Sequence, residues 1–142
     1  MGSQAKFGYG TLVKIGDGGS PETFTAIAEL RGDISFAGME SEEIEITTHN
    51  NAVNGRAKEK LPGLIDPGSL EIEINYIAND ATHVAVRNAW TNQTKKNFQV
   101  LSPFGDLISC AGYIMSLPIT FPIGDSINAK IKIMLTGLPT FA

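Results

Sequence analysis

In Leu70-Glu71-Ile72-Glu73-Ile74-Asn75-Tyr76 every second residue is apolar and the residues between are polar. Side chains of an extended backbone point alternately to opposite faces, so this run reads as a strand with one face in a core and one in water. The same period runs from Ile127 to Leu135, where Ile127, Ala129, Ile131, Ile133 and Leu135 alternate with Asn128, Lys130, Lys132 and Met134. It recurs briefly in Glu43-Ile44-Glu45-Ile46-Thr47. Less regular strand candidates are Tyr9 to Ile15, Phe24 to Leu30, Phe98 to Leu101 and Ser109 to Leu117, each bounded by Gly, Pro, Asn or Asp. One wet face is the habit of antiparallel sheets, and about seven or eight such strands predict a mainly β fold. If the strands at 70–76 and 127–135 are neighbours, the acids of one can face Lys130 and Lys132 of the other, each opposite pair contributing about 0.2–1 kcal/mol.

One segment departs from period two. Asp80 stands where an N-cap belongs, and Val86, Ala89 and Trp90 follow at helical spacing, which predicts one helix of about three turns over residues 80–92. Trp90 is the expected anchor of that helix, plugging the open side of a sheet or barrel. Residues 48–67 show no period and predict a long loop, a feature that in compact domains is usually functional or disordered. The loop carries Arg56, Lys58 and Lys60 against Glu59, whereas Asp17 to Ile46 holds eight acids against Arg31 alone. Two readings fit this segregation: ordinary solvated faces, or a cationic loop of one subunit docking on the acidic surface of another.

Other function classes are disfavoured by residue inventory. The chain of 142 residues suits a single domain, 1–142, and contains no internal repeat. Its net charge of -4 argues against a surface built to hold nucleic acid, because phosphate affinity comes mainly from Lys and Arg. Cys110 is the only cysteine, sits in an apolar run and is expected to be a buried small hydrophobe, not a nucleophile. The first residues lack an apolar leader core and no run approaches the ~20 apolar residues of a membrane span, which predicts a protein made and kept soluble in a cytoplasm. His49 and His83 belong to no metal-binding spacing. Gly16-Asp17-Gly18-Gly19-Ser20 lacks the Lys-Ser or Lys-Thr of a phosphate loop and is expected to be a turn. Glu43 with Glu45, and Glu71 with Glu73, lie in regular alternation as on any wet sheet face, whereas catalytic carboxylates need environments that separate their pKa values. No catalytic, cofactor-binding or metal-ligating residue is expected, and the chain is not expected to be an enzyme.

Three segments together resemble the tail tube proteins of bacteriophages with long non-contractile tails. The first is Gly16 to Ile27, a Gly-rich turn followed by a strand. The second is Glu43-Ile44-Glu45-Ile46-Thr47-Thr48, the long basic loop, and Leu61-Pro62-Gly63-Leu64-Ile65-Asp66-Pro67-Gly68-Ser69-Leu70 leading into Asn75-Tyr76. The third is Phe121-Pro122-Ile123-Gly124-Asp125-Ser126 with the strand running to Pro139. The resemblance spans Gly8 to Pro139. It implies a β-sandwich or barrel with one flanking helix, and hexameric rings stacked into a hollow tube that conducts DNA into the host. It also implies tape measure, tail tip initiator and tail terminator proteins as partners, DNA passing without specific binding, no membrane anchoring, and residence in the virion tail after assembly in the host cytoplasm. Some members carry an added C-terminal immunoglobulin-like domain; this chain is expected to lack one and any surface-adhesion role with it.

Within that frame the long loop supplies the candidate subunit contact, through Asn51, Val53, Arg56, Lys58, Lys60 and Leu61. Carboxylates suit a bore through which a duplex slides, because a basic wall would bind each phosphate. Glu71 and Glu73 are the favoured lumen-facing acids, with Glu43 and Glu45 next. Two alternatives remain: a tube subunit of a secretion or bacteriocin-like injection system, and a ligand-binding β-sandwich, which would call for clustered aromatics where this chain has only 8%, scattered.

Overall fold

The computed structural model describes residues 5, 8–46 and 58–142. Within them lie β1 (Leu12–Gly16), β2 (Phe24–Ala26), β3 (Leu30–Ala37), β4 (Glu40–Glu45), β5 (Lys60–Asp66), β6 (Ser69–Asn75), α1 (Ala81–Asn92), β7 (Lys96–Leu101), β8 (Leu107–Ser116), β9 (Ile119–Thr120), β10 (Asn128–Leu135) and β11 (Thr140–Phe141). The mainly β, antiparallel architecture with one helix is as the alternation predicted. The main sheet runs β2-β1-β7-β8-β10-β6-β3, with β9 beside β10 and β11 beside β8, while β4 and β5 form a separate two-stranded sheet.

The centre of the main sheet follows directly from the period-two runs. Leu70, Ile72 and Ile74 of β6 and Ala129, Ile131, Ile133 and Leu135 of β10 are all buried. Their neighbours in the chain point the other way, and the register sets Lys130 opposite Glu73 and Lys132 opposite Glu71. The anticipated charge pairing across these two strands is therefore present. Val13, Phe98 and Ile114 from β1, β7 and β8 are fully buried as well.

The sheet's two end strands, β2 and β3, are separated in sequence by only Ile27, Ala28 and Glu29. The sheet must therefore roll until its ends approach. The expected single strand from Phe24 to Leu30 is broken here because Glu29 adopts a left-handed backbone (φ 61°), which turns the chain out of one ladder and into another. The roll does not close: no ladder joins β3 to β1 or β2, and a cleft of about 1290 Å³ remains, lined by Leu12, Ile27, Leu30, Phe36 and Val100 among others.

Helix α1 supplies the hydrogen bonds that this open corner lacks. Asp80 caps it, accepting from the backbone N–H groups of Thr82 (2.9 Å) and His83 (3.3 Å) and from the Thr82 hydroxyl. The Thr82 hydroxyl accepts from the Ala28 N–H at 3.1 Å. His83 Nε2 lies 2.7 Å from the Ala28 carbonyl, to which it donates, and Nδ1 lies 3.0 Å from the Ile77 backbone nitrogen, whose N–H it accepts. Both backbone groups of partly buried Ala28 are thus satisfied from the helix.

Trp90 is not the anchor expected of it. The buried helical residues are Thr82, His83, Val86 and Ala89, whereas Trp90 is 42% exposed. The face that meets the corner is centred on His83 and Val86, because the hydrogen bonds to Ala28 fix the helix's rotation and leave Trp90 at its rim. Replacing His83 with leucine should leave the Ala28 carbonyl and Ile77 N–H without partners and lower unfolding stability by about 2–3 kcal/mol, measurable by urea denaturation followed by circular dichroism.

Candidate functional site

Strands β3 and β6 do not stop at the edge of the body. Their ladder ends at Ala37 opposite Ser69, and after a break a second ladder begins at Glu40 opposite Asp66 and continues as β4 and β5. The result is one long hairpin whose inner half belongs to the core and whose outer half is an arm. Residues 60–66, expected within the loop, form β5. Pro62 and Gly63 hide the strand from any periodicity, but Pro62 loses nothing on a strand that has a partner on one side only, and a register shift between Ser41 and Glu43 accommodates it. Of the candidate contact residues, Lys58 is exposed just before β5, and Lys60 and Leu61 lie on it; Asn51, Val53 and Arg56 fall outside the described residues.

The arm is two-sided. Ile44 faces Leu61 across the ladder, and Ile44 and Glu42 crowd the space where Gly63 has no side chain. Ile44, Leu61 and Ile65 are about half exposed, and Leu64 is more so. On the other face Lys60 lies opposite Glu45 and bridges Glu43, Nζ to Oε1, at 2.6 Å. Lys60, one cation of the basic stretch, is thus paired with acids of its own hairpin. What remains around the bridge is acidic: Glu40, Glu42, Glu45, Glu59 and Asp66 against Lys58.

Glu43 and Glu45, read from sequence as part of a half-buried strand, are on this arm and both faces of β4 are exposed. No arm residue contributes to the core cluster. An isolated two-stranded ribbon is at best marginally stable in water. Large apolar residues facing water on such a ribbon mark an interaction face.

The other acidic candidates sit on the outer face of the main sheet. Glu71 and Glu73 line a shallow groove with Asp33, Ser35, Lys130 and Lys132. Glu73 also takes Arg31 Nε at 3.0 Å. Arg31, singled out in the sequence only as the lone cation among eight acids, is the hub of this face. It donates to Asn75 Oδ1 (3.1 Å), Ser126 Oγ (3.1 Å) and Asp125 Oδ2 (3.3 Å). The Ser126 backbone N–H first, and Arg31 second, hold the Asp125 carboxyl below the ordinary range. The 121–126 loop is pinned at one end while Phe121 and Ile123 project into solvent.

Two further expectations are met. Cys110 is buried, and burial pushes its thiol up to about 11. The Gly16–Ser20 segment is a turn closed on itself: Asp17 Oδ1 accepts from the Gly19 and Thr23 N–H groups, and Glu22 Oε2 from that of Gly18. His49 lies outside the described residues, and among the described residues no group of three or more His, Cys, Asp or Glu is placed to hold a metal ion.

The chain is thus an open, rolled antiparallel sheet with a corner helix and a projecting ribbon. The sequence profile described as lambda phage tail tube protein, TTP, matches residues 10–142. The chain belongs to that family. A search of curated protein sequences finds no significant match. Among solved structures, a chain from the tail of an empty gene transfer agent particle, refined with C6 symmetry, aligns with a TM-score of 0.74 at 22% identity over 97% of this chain and 99% of that one. A chain of an extracellular contractile injection system sheath/tube terminator aligns with a TM-score of 0.72 at 13% identity over 99% and 98%. The SPP1 tail tube aligns with a TM-score of 0.61 at 15% identity over 93% and 77%. At these identities the likeness is one of fold.

Replacing Arg31 with alanine should free the 121–126 loop while leaving the core intact. Amide exchange at Ser126 is then expected to accelerate roughly tenfold, with the amides of Ile72 and Ile131 unchanged.

Proposed function

We propose that this tail tube protein assembles into hexameric rings stacked as a hollow tube that conducts DNA from a phage particle into its host. The observation that carries this is the amphipathic arm: a two-stranded ribbon with exposed Ile44, Leu61 and Ile65, joined to the core only through its own hairpin. A copy that offers such an arm and receives another at a different surface makes an unlike contact, which closes into a ring or grows along an axis. The arm contacts the next ring through Lys58, Lys60 and Leu61, with Asn51, Val53 and Arg56 of the sequence between β4 and β5 as the further candidate contacts. Membership in the tail tube family and a fold shared with a tail refined in C6 symmetry support the reading.

In this arrangement the outer face of β6 and β10 lines the bore, with Glu71 and Glu73 as its acids and Glu43 and Glu45 nearer the ring junction. The registered partners Lys130 and Lys132, with Arg31 beside Glu73, balance those charges. The wall then neither binds phosphates strongly nor repels them strongly, which suits a cargo that slides. The chain acts as a single tail tube domain without catalytic activity, resides in the virion tail, and is assembled in the bacterial cytoplasm with tape measure, initiator and terminator proteins as partners. Among the described residues no helix is long and apolar enough to cross a membrane. A tube subunit of an injection system is the second reading, supported by the fold shared with contractile injection components.

Negative-stain microscopy of concentrated protein separates these ideas from a monomeric role. Wild-type protein is expected to give rings or tubes about as wide as six subunits allow, whereas Ile44→Ser with Leu61→Ser should stay monomeric with stability within about 0.5 kcal/mol of wild type. Tubes formed equally well by the double variant would remove the arm from the interface. In the assembled tube, Glu71→Lys with Glu73→Lys should convert the bore to a polyanion-retaining surface, so that heparin of low molecular weight binds tubes in a salt-dependent way and wild-type tubes do not retain it. Equal heparin binding by both would place these residues on the outside.

A further inference from the structure

The residues from Ala81 to Gly105 form the longest stretch of the chain without an acid, and they hold Arg87, Lys95 and Lys96. They comprise helix α1, the turn after it, β7 and the start of the next turn. Trp90, the chain's only tryptophan, stands on the last turn of the helix at 42% exposure. It follows Arg87 by three residues and so shares a helix face with it. Its backbone is fixed: the Trp90 carbonyl accepts from the Gln93 side-chain amide at 2.8 Å and from the Gln93 N–H at 3.3 Å. Arg87 Nη1 donates to the uncharged Tyr76 hydroxyl at 2.8 Å, which positions the guanidinium without neutralising it. Lys96 is partly offset by Asp17, whereas Lys95 is exposed. The helix end therefore presents a half-exposed indole edged by two cations.

The arm has the opposite composition. Its described residues carry six acids against Lys58 and Lys60, a net charge of -4. Its apolar face also carries an acid, because Glu42 reaches over Gly63 beside Ile44, which faces Leu61. We propose that the Trp90 patch is the surface that receives the arm of a second copy, the indole packing against Ile44 and Leu61 while Arg87 and Lys95 face Glu42. Tryptophan offers a large contact area and is enriched among the residues that dominate binding. Complementary charge speeds the encounter and sets the orientation, and the like charge of two arms disfavours their pairing with each other. Phe121 and Ile123, the prominent apolar pair of the 121–126 loop, stand beside Asp125, which Arg31 already balances, so they offer an acidic arm no such attraction. Because the offering and receiving surfaces differ, the contact is of the unlike kind that continues from copy to copy. The inference rests on the tube reading for its setting and adds to it the receiving surface.

Two full-length variants isolate one such contact. A receiver, Ile44→Ser with Leu61→Ser, keeps Trp90 but loses the apolar arm contacts. A donor, Trp90→Ala with Lys95→Glu, keeps the arm and contains no tryptophan. Each alone is expected to sediment as a monomer, and an equimolar mixture as a dimer. On titration of the receiver with the donor, Trp90 emission should shift to the blue and its quenching by acrylamide should fall about twofold as the indole leaves water. The dissociation constant should rise roughly tenfold between about 50 and about 300 mM salt. Lys95→Glu added to the receiver should abolish the dimer, and Glu42→Lys added to the donor should restore it. Lys95→Glu alone, at an exposed position, serves as a second donor read by sedimentation if Trp90→Ala unfolds the chain. A mixture that stays monomeric, a dimer with unchanged Trp90 emission, or a receiver unaffected by Lys95→Glu overturns the proposal. Tubes from wild-type protein with no dimer in the mixture would sink the receiving patch and keep the tube reading. A blue-shifted dimer from a chain whose wild type never forms rings or tubes would do the reverse.

Discussion

Two strands lying side by side with every second residue buried organise this molecule. The ladder between β6 and β10 places Leu70, Ile72 and Ile74 beside Ile133, Ile131 and Ala129 on one face and opposes acids to lysines on the other. A slip of one residue would send the apolar set of one strand to solvent and set its charged residues opposite the aliphatic residues of the other, so hydrophobic burial and cross-strand charge specify the same register. Strands β3 and β8 add to this pair on its two sides, and through them the arm and the remaining strands take their positions.

The same sheet would be left unfinished at its ends without the helix. Rolling brings β2 and β3 together in sequence and in space, yet their ladders do not merge, and the corner residue Ala28 has its N–H and carbonyl turned away from any strand. Thr82 and His83 satisfy both groups, so a histidine that offers no metal chemistry becomes a structural connector. Because those bonds fix the helix's rotation, Val86 and Ala89 fill the core and the bulky indole of Trp90 stays half outside.

Asymmetry between body and arm is the property that joins fold to function. The body hides its apolar residues within itself. The arm, built from the continuation of two body strands, carries apolar residues that the described residues leave about half exposed or more. An oligomeric subunit needs surface of that kind, and family membership gives it a natural place in a tube. The Arg31 hub shows a second way of presenting apolar surface: partly exposed polar contacts to Glu73, Asn75, Asp125 and Ser126 hold a loop from which Phe121 and Ile123 project.

Local pattern was enough to reveal the mainly β class, the helix over residues 80–92, the turn at Gly16 to Ser20 and the burial of Cys110, because each depends on side chains a few residues apart. It was also enough to anticipate lysines facing acids across β6 and β10, since two clean alternations can pair in few ways. Strand β5 was illegible because Pro62 and Gly63 break its period and only its partner β4 makes it a strand. The bend at Glu29, the pairing of Lys60 with Glu43, the role of Arg31 and the retreat of Trp90 from the core were likewise decided by tertiary structure. Each depends on which distant segment arrives alongside, and hydrogen bonds between residues tens of positions apart leave no periodicity in the chain that makes them.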